Sequence, residues 1–131
     1  MTDWKQFEDQ AYLSLETFRK NGIGVKTVVW FVQDGGVLSI WTRADSGKVK
    51  RLRNTARVNI APCTRFGQIT GAWQAAQASV DDSAAEVWHL VVRLRQKYGV
   101  GFIVFGTIEI LIERRRGQQR VAVKVSISEN Q

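Results

Sequence analysis

The segment from Val25 to Thr42 is the tightest constraint on how this chain can fold. Two runs rich in Val, Trp, Phe and Thr, Val25–Gln33 and Val37–Thr42, flank the tripeptide Asp34-Gly35-Gly36. β-Branched and aromatic residues suit a pleated, half-buried surface. Asp and Gly tolerate the positive φ of a tight hairpin turn. The two runs therefore pair as an antiparallel hairpin, and the rest of the chain must fold around it.

Further strands are expected at Arg57–Cys63, Gln68–Val80 and Arg120–Ile127, the last alternating through Val121, Val123, Val125 and Ile127. Arg65-Phe66-Gly67 marks a second turn. A helix is expected over 3–20, where Phe7, Ala11, Leu15 and Phe18 recur at three- and four-residue steps before Asn21-Gly22. A short helix over Ser46–Arg53 takes Ser46 as its N-cap, and a longer one opens at Asp81-Asp82-Ser83 and closes at Gly99. Segment 100–116 fits two patterns: Ile108, Ile110 and Ile112 alternate, whereas Phe102, Phe105 and Glu109 suit a helix. Hairpins come first and helices sit at the ends. That order argues for an antiparallel sheet or small barrel with peripheral helices, not a parallel βαβ sheet.

The 131 residues suit one domain, 1–131, and 44% hydrophobic residues supply a core without covalent staples. A single cysteine, Cys63, excludes an internal disulfide framework and a multi-cysteine metal cage. A single histidine, His89, excludes metal sites that need two or three imidazoles. No secretory signal is read at MTDWKQFEDQAY, and the longest apolar run, Val100–Ile112, is broken by Glu109. The expectation is a soluble cytoplasmic protein without a membrane partner. Nineteen Lys and Arg against twelve Asp and Glu leave a net charge of +7, which attracts anions without choosing among them.

The most informative stretch for chemistry is Trp41-Thr42-Arg43-Ala44-Asp45-Ser46-Gly47-Lys48-Val49-Lys50-Arg51-Leu52-Arg53. It runs from a strand end through a small loop into a helix start, where backbone N–H groups favour an anion. Thr42 and Ser46 bring hydroxyls; Lys48 and Arg51 bring charge. These are the parts of a phosphate seat. The spacing is not that of a P-loop, so a nucleoside triphosphatase is not indicated. The plainer alternative is a solvated basic helix face with a serine cap.

Several blocks resemble the pyridoxamine-phosphate-oxidase-like split barrels, in particular their flavin- or deazaflavin-dependent oxidoreductase branch. They are Gly24–Val32, the hairpin Asp34-Gly35-Gly36, Ile40–Asn54, Arg57–Cys63, Gly67–Trp73 and Lys97-Tyr98-Gly99. The resemblance implies a mainly β fold, a six-stranded antiparallel Greek-key split barrel with peripheral helices. It implies a homodimer with the cofactor, FMN or the deazaflavin coenzyme F-420, in clefts between subunits, and a small-molecule substrate. It places the phosphate loop on Thr42, Ser46 and Lys48, with Lys50 and Arg51 close by. It places the ring-contacting strand edges on Val28, Val29, Trp30 and Trp41. Two departures stand out. Asn54-Thr55-Ala56-Arg57 replaces the family's Asn-x-Pro-Arg, and Lys124–Gln131 lacks the Trp and Arg of the vitamin B6 oxidase's substrate motif. Pyridoxamine phosphate is therefore not the expected substrate.

No catalytic His, Cys or carboxylate pair is expected, because flavins and deazaflavins carry the hydride themselves. The same lack suits a cofactor-binding protein without turnover. Trp30 and Trp41 either frame a ring cofactor or pack at a core or interface, while Trp4, Trp73 and Trp88 read as packing residues. Cys63 reads as a buried inert thiol, His89 as a surface or interface residue, and Asp81 and Asp82 as helix caps. Arg114-Arg115-Arg116 with Arg120 reads as a solvated turn or as a contact for an acidic cofactor tail. A nucleic-acid module is disfavoured, since its aromatic and basic residues should interleave on one open surface, and here they are separated.

Overall fold

The computed structural model describes residues 4–99 and 120–127. A 3-10 turn, Trp4–Phe7, precedes β1 (Leu13–Phe18), β2 (Gly24–Val29), β3 (Val32–Asp34), β4 (Val37–Arg43), α1 (Gly47–Asn54), β5 (Arg57–Pro62), β6 (Gln74–Asp81), α2 (Ala84–Tyr98) and β7 (Arg120–Ile127). The strands form one sheet in the order β2-β1-β5-β6-β7-β4-β3, and every pairing is antiparallel.

The two outermost strands of that order, β2 and β3, are separated in the chain only by Trp30 and Phe31. A flat sheet of this many strands is about 29 Å across. Three Cα steps from Val29 to Val32 reach at most about 11 Å. The sheet must therefore curl until its edges meet. β2 and β3 act as one strand broken in the middle, which makes this the mainly β, six-stranded barrel expected. Among the described residues, β2 pairs only with β1, and Ile40–Arg43 pair only with β7. The wall is split between those two stretches.

The core is the inside of this curl. Leu13, Leu15, Phe31, Leu38, Ile40, Val58, Ile60, Val121, Val123 and Val125 fill it, and α1 adds Val49 and Leu52. A second cluster, Val32, Leu90, Leu94 and Ala122, fixes α2 on the outer face, with Trp30, Trp41 and Tyr98 packed around it.

Most local signals hold. Gly35 closes the β3–β4 hairpin at φ 63°. Ser46 caps α1 by accepting from Val49 N, Ser83 caps α2 by accepting from Glu86 N, and Gly99 ends α2 at φ 68°. Three expectations fail. The helix over 3–20 is a single turn followed by β1. That strand is buried on both faces, with Leu13, Leu15 and Thr17 on one and Ser14 and Phe18 on the other. Its buried positions do not alternate cleanly, so they imitated a helical stripe. The strand Val25–Gln33 breaks at Trp30-Phe31. The long strand Gln68–Val80 begins only at Gln74. Before it, the chain touches β5's end through a Cys63–Ile69 bridge, and the Gln6 side chain holds Ala72 by both its N–H and its carbonyl, at 3.0 and 2.9 Å. Segment 100–116 and Arg114–Arg116 lie outside the described residues.

The end of α2 fastens the broken strand. Phe31 N donates to the Tyr98 hydroxyl at 3.1 Å. That hydroxyl lies 2.6 Å from the Ala11 carbonyl and 3.0 Å from the Phe31 carbonyl. Lys97 Nζ donates to the same Phe31 carbonyl at 2.8 Å and sits 3.5 Å from the Phe31 ring centroid. These contacts satisfy the backbone N–H and carbonyl of Phe31, which the break removes from the strand ladder. Burial pushes Lys97 down from 10.5 to about 8, and burial pushes Tyr98 up from 10.0 to about 12.

The two shifts have opposite consequences. Between about pH 8 and 10.5 the unfolded chain still holds the Lys97 proton that the folded chain has lost, so stability rises with pH. Above about pH 10 the folded chain keeps the Tyr98 proton longer, so stability falls. Denaturation midpoints of wild type and Lys97→Met, compared from pH 7 to 10, should converge in wild type's favour as pH rises. A difference independent of pH would contradict the shift.

Candidate functional site

β4 delivers the chain into the loop that starts α1. Thr42 is buried at the strand end, and its hydroxyl reaches the Ser46 Oγ at 3.4 Å. Ser46 Oγ in turn accepts from Val49 N at 3.3 Å. Arg43 and Asp45 pair through two hydrogen bonds of 3.1 and 3.0 Å, which pulls the Asp45 pKa down. That pair occupies the carboxylate nearest the loop.

Lys48 is half-buried in the first turn of α1. Among the described residues its ammonium has neither a hydrogen-bond acceptor nor a carboxylate partner. Its pKa is lowered, first by burial and then by the guanidinium groups of Arg51 and Arg120. Arg51 folds back so that a Cβ at Gly47 would lie 2.8 Å from its Nη1, so glycine there makes room for the guanidinium. Its Nε donates to the buried Thr17 hydroxyl at 2.6 Å, and its pKa is lowered by burial and then by Arg19. Arg120 stands opposite Arg43 in the β4–β7 register, with its guanidinium 4.2 Å from the Trp41 ring centroid. Three cations thus converge beside two hydroxyls at a helix start, an arrangement suited to a dianion.

The sequence-predicted set divides. Thr42, Ser46, Lys48 and Arg51 come together. Lys50, on the same helix, is exposed. Val28 and Val29 lie on β2, exposed and half-buried, respectively. Trp30 stacks on Tyr98 with centroids 4.8 Å apart and an interplanar angle of 13°. Trp41 carries the Arg120 guanidinium. Both indoles pack around the α2 cluster. Arg120 is the member that sequence reasoning left in a separate basic cluster; only the β4–β7 pairing brings it to the seat.

The other singled-out residues separate cleanly. Cys63 is buried and its thiol pKa is pushed up by burial. His89 is exposed. Trp4 packs on the core, but Trp73 and Trp88 are exposed, Trp88 by 62%. Trp73 meets Lys26, and Gly67 approaches Val28, so the 66–73 loop lies along β2. Val28, Phe66, Ile69 and Trp73 are all exposed there, Phe66 by 78%. Two clefts of about 780 and 800 Å³ flank α2, and neither is lined by residues 42–51. Among the described residues no group of three His, Cys, Asp or Glu could hold a metal, and no helix is long and apolar enough to cross a membrane.

No family model matches the chain, and no curated protein matches it. Solved structures do. An F420 reductase is 14% identical with a TM-score of 0.61, covering 95% of this chain and 92% of its own. The heme storage protein HutZ from Vibrio cholerae is 14% identical with a TM-score of 0.68, over 96% and 87% of the two chains. A putative pyridoxamine 5'-phosphate oxidase from Listeria innocua is 12% identical with a TM-score of 0.60, over 95% and 90%. Solved structures with this fold thus include both a reductase and a heme storage protein. The curled sheet, its split wall and these neighbours together identify the chain as having the split-barrel fold of the pyridoxamine-phosphate-oxidase-like FMN-binding proteins.

Proposed function

We propose that the protein is an oxidoreductase that binds FMN or the deazaflavin coenzyme F-420 and moves a hydride between it and a small substrate. One observation carries this reading. Lys48 keeps a half-buried ammonium without a counter-ion among the described residues, beside Arg51 and Arg120. A cation desolvated without an anion is costly, and a bound phosphate offsets that cost. Thr42 and Ser46 add hydroxyls to the seat, and Lys50 adds long-range attraction from the exposed face of α1.

When bound, the cofactor supplies the hydride chemistry. The chain's own residues anchor its phosphate and present an apolar edge to its ring. One chain offers only part of a ring slot, because Tyr98 and Arg120 already cover faces of Trp30 and Trp41. The exposed Val28, Phe66, Ile69 and Trp73 form an apolar face beside β2, of the kind that marks an interface. We therefore assign the rest of the slot to a second copy of the chain, with Val28, Val29, Trp30 and Trp41 at the shared cleft. Sedimentation at micromolar concentration should give twice the 14.8 kDa chain mass. A monomer that binds flavin tightly would defeat the shared cleft.

Absorbance titration with FMN, F-420 and heme tests the cofactor. Saturable binding of a flavin or deazaflavin that weakens with salt supports the reading. Tight heme binding without affinity for either would overturn it in favour of storage. Turnover separates an enzyme from a binding protein: a bound cofactor that no carbonyl or conjugated acceptor reoxidises would leave only binding. Oxidation of pyridoxamine phosphate should be negligible, and a robust rate would show that the substrate motif lies elsewhere.

A further inference from the structure

Arg51 holds a position that electrostatics alone opposes. It lies one turn along α1 from Gly47, and helical side chains lean towards the N-terminus, so this one can fold back over the first turn. Its guanidinium does so: a Cβ at Gly47 would lie 2.8 Å from Nη1, 3.5 Å from Cζ and 3.6 Å from Nη2. The start of a helix is its positive end, and Lys48 and Arg19 set like charge against the guanidinium. Among the described residues no carboxylate pairs with Arg51. Asp45 is engaged by Arg43. Glu16 leaves the opposite face of β1 and accepts from Asn59 at 3.0 Å.

Thr17 holds the guanidinium there. This β1 residue is fully buried, and its hydroxyl accepts from Arg51 Nε at 2.6 Å. An arginine carries one N–H on Nε and two on each Nη. With Nε engaged, the Nη1 and Nη2 groups have no acceptor among the described residues. Their end-on fork matches two oxygens of a phosphate. Gly47 makes the room for it. Its φ is not positive, so the backbone there would accept alanine, and the guanidinium is what the missing Cβ accommodates.

We propose that Arg51 is a bidentate clamp on the bound anion and that Thr17 is its positioning residue. The inference rests on the phosphate reading above. The Arg51 fork meets two phosphate oxygens, while Lys48 supplies a point charge. Thr17 touches no phosphate. It occupies Nε, which closes the side-on mode of the guanidinium and leaves the end-on one. It also fixes the fork before the anion arrives, so less rotamer freedom is lost on binding. The anion offsets the repulsion among Arg51, Lys48 and the helix start, which is why the guanidinium is kept at that end of α1.

The test uses the whole protein labelled with nitrogen-15, its arginine Nε–H NMR signals, and inorganic phosphate as the probe. The Arg51 signal, identified by its loss in Arg51→Lys, should stand apart from those of exposed arginines and move as phosphate is added. Thr17→Val and Gly47→Ala should each weaken phosphate binding about 5-fold, the value of one hydrogen bond. Thr17→Ser keeps the hydroxyl and should match wild type. Gly47→Ala should melt no lower than wild type, because alanine suits a helix better than glycine; a merely structural glycine would lose stability instead. An Arg51 signal that phosphate leaves unmoved overturns the clamp, and cofactor affinity of Lys48→Ala then shows whether the seat stands without it. A signal that moves in a protein binding neither FMN nor F-420 upholds the clamp and overturns the cofactor reading. Equal phosphate affinity in wild type, Thr17→Val and Gly47→Ala overturns the positioning role. Should Thr17→Val not fold, the wild-type titration and Gly47→Ala decide both points.

Discussion

Phe31→Ala should cost about 3–5 kcal/mol of folding stability, the range for removing a large aromatic side chain from a core. The ring is fully buried where the broken strand turns from β2 into β3. It meets Phe7 edge-on, with centroids 6.1 Å apart and an interplanar angle of 85°, and it carries the Lys97 ammonium. Its loss leaves a cavity at the point where the sheet edges join, and it removes the aromatic face beneath a charge. Against a total stability of about 5–15 kcal/mol, this is about a fifth or more of the reserve. Urea denaturation of the two proteins at neutral pH measures it directly. A loss below about 1 kcal/mol would mean that the junction is not held by packing.

Lys48→Ala should weaken cofactor binding by about 10- to 100-fold, the value of a charge-assisted contact of roughly 1.5–3 kcal/mol. The same substitution should leave the stability of the cofactor-free protein unchanged or improved, because it removes a half-buried ammonium without a partner among the described residues. The opposite signs distinguish a binding residue from a packing residue. Lys5→Ala, on the exposed N-terminal turn, should alter neither quantity. Titration and thermal melts on the same samples supply both readings. Equal affinities in all three proteins would remove Lys48 from the seat.

The parts of this fold that were legible in the sequence depend on neighbours in the chain. A turn at Asp34-Gly35-Gly36, caps at Ser46 and Ser83 and a stop at Gly99 each follow from the needs of a few adjacent backbone groups. Thr42, Ser46 and Lys48 were legible as a group for the same reason, since one loop carries them. β1 was misread because burial on both faces erased its alternation. The break at Trp30-Phe31 was not visible because both halves have strand-forming residues, and the Phe31 backbone is satisfied by Tyr98 and Lys97, far along the chain. Arg120 comes beside the proposed seat through strand register, a long-range property that no local pattern encodes.

The place of β7 has a consequence for synthesis. It is the last of these strands in the chain, yet it lies between β6 and β4 in the sheet. Until it emerges from the ribosome, the nascent chain has two partial sheets, β2-β1-β5-β6 and β4-β3, connected at Trp30-Phe31. The facing edges of β6 and β4 then present unpaired backbone, a template for pairing with other chains. Completion of the barrel therefore waits for β7, and a chain truncated before Arg120 would be an aggregation-prone product. The inserted strand carries Val121, Val123 and Val125 into the interior and Ala122 to the face beneath α2, so its arrival closes the wall and completes the core in one event.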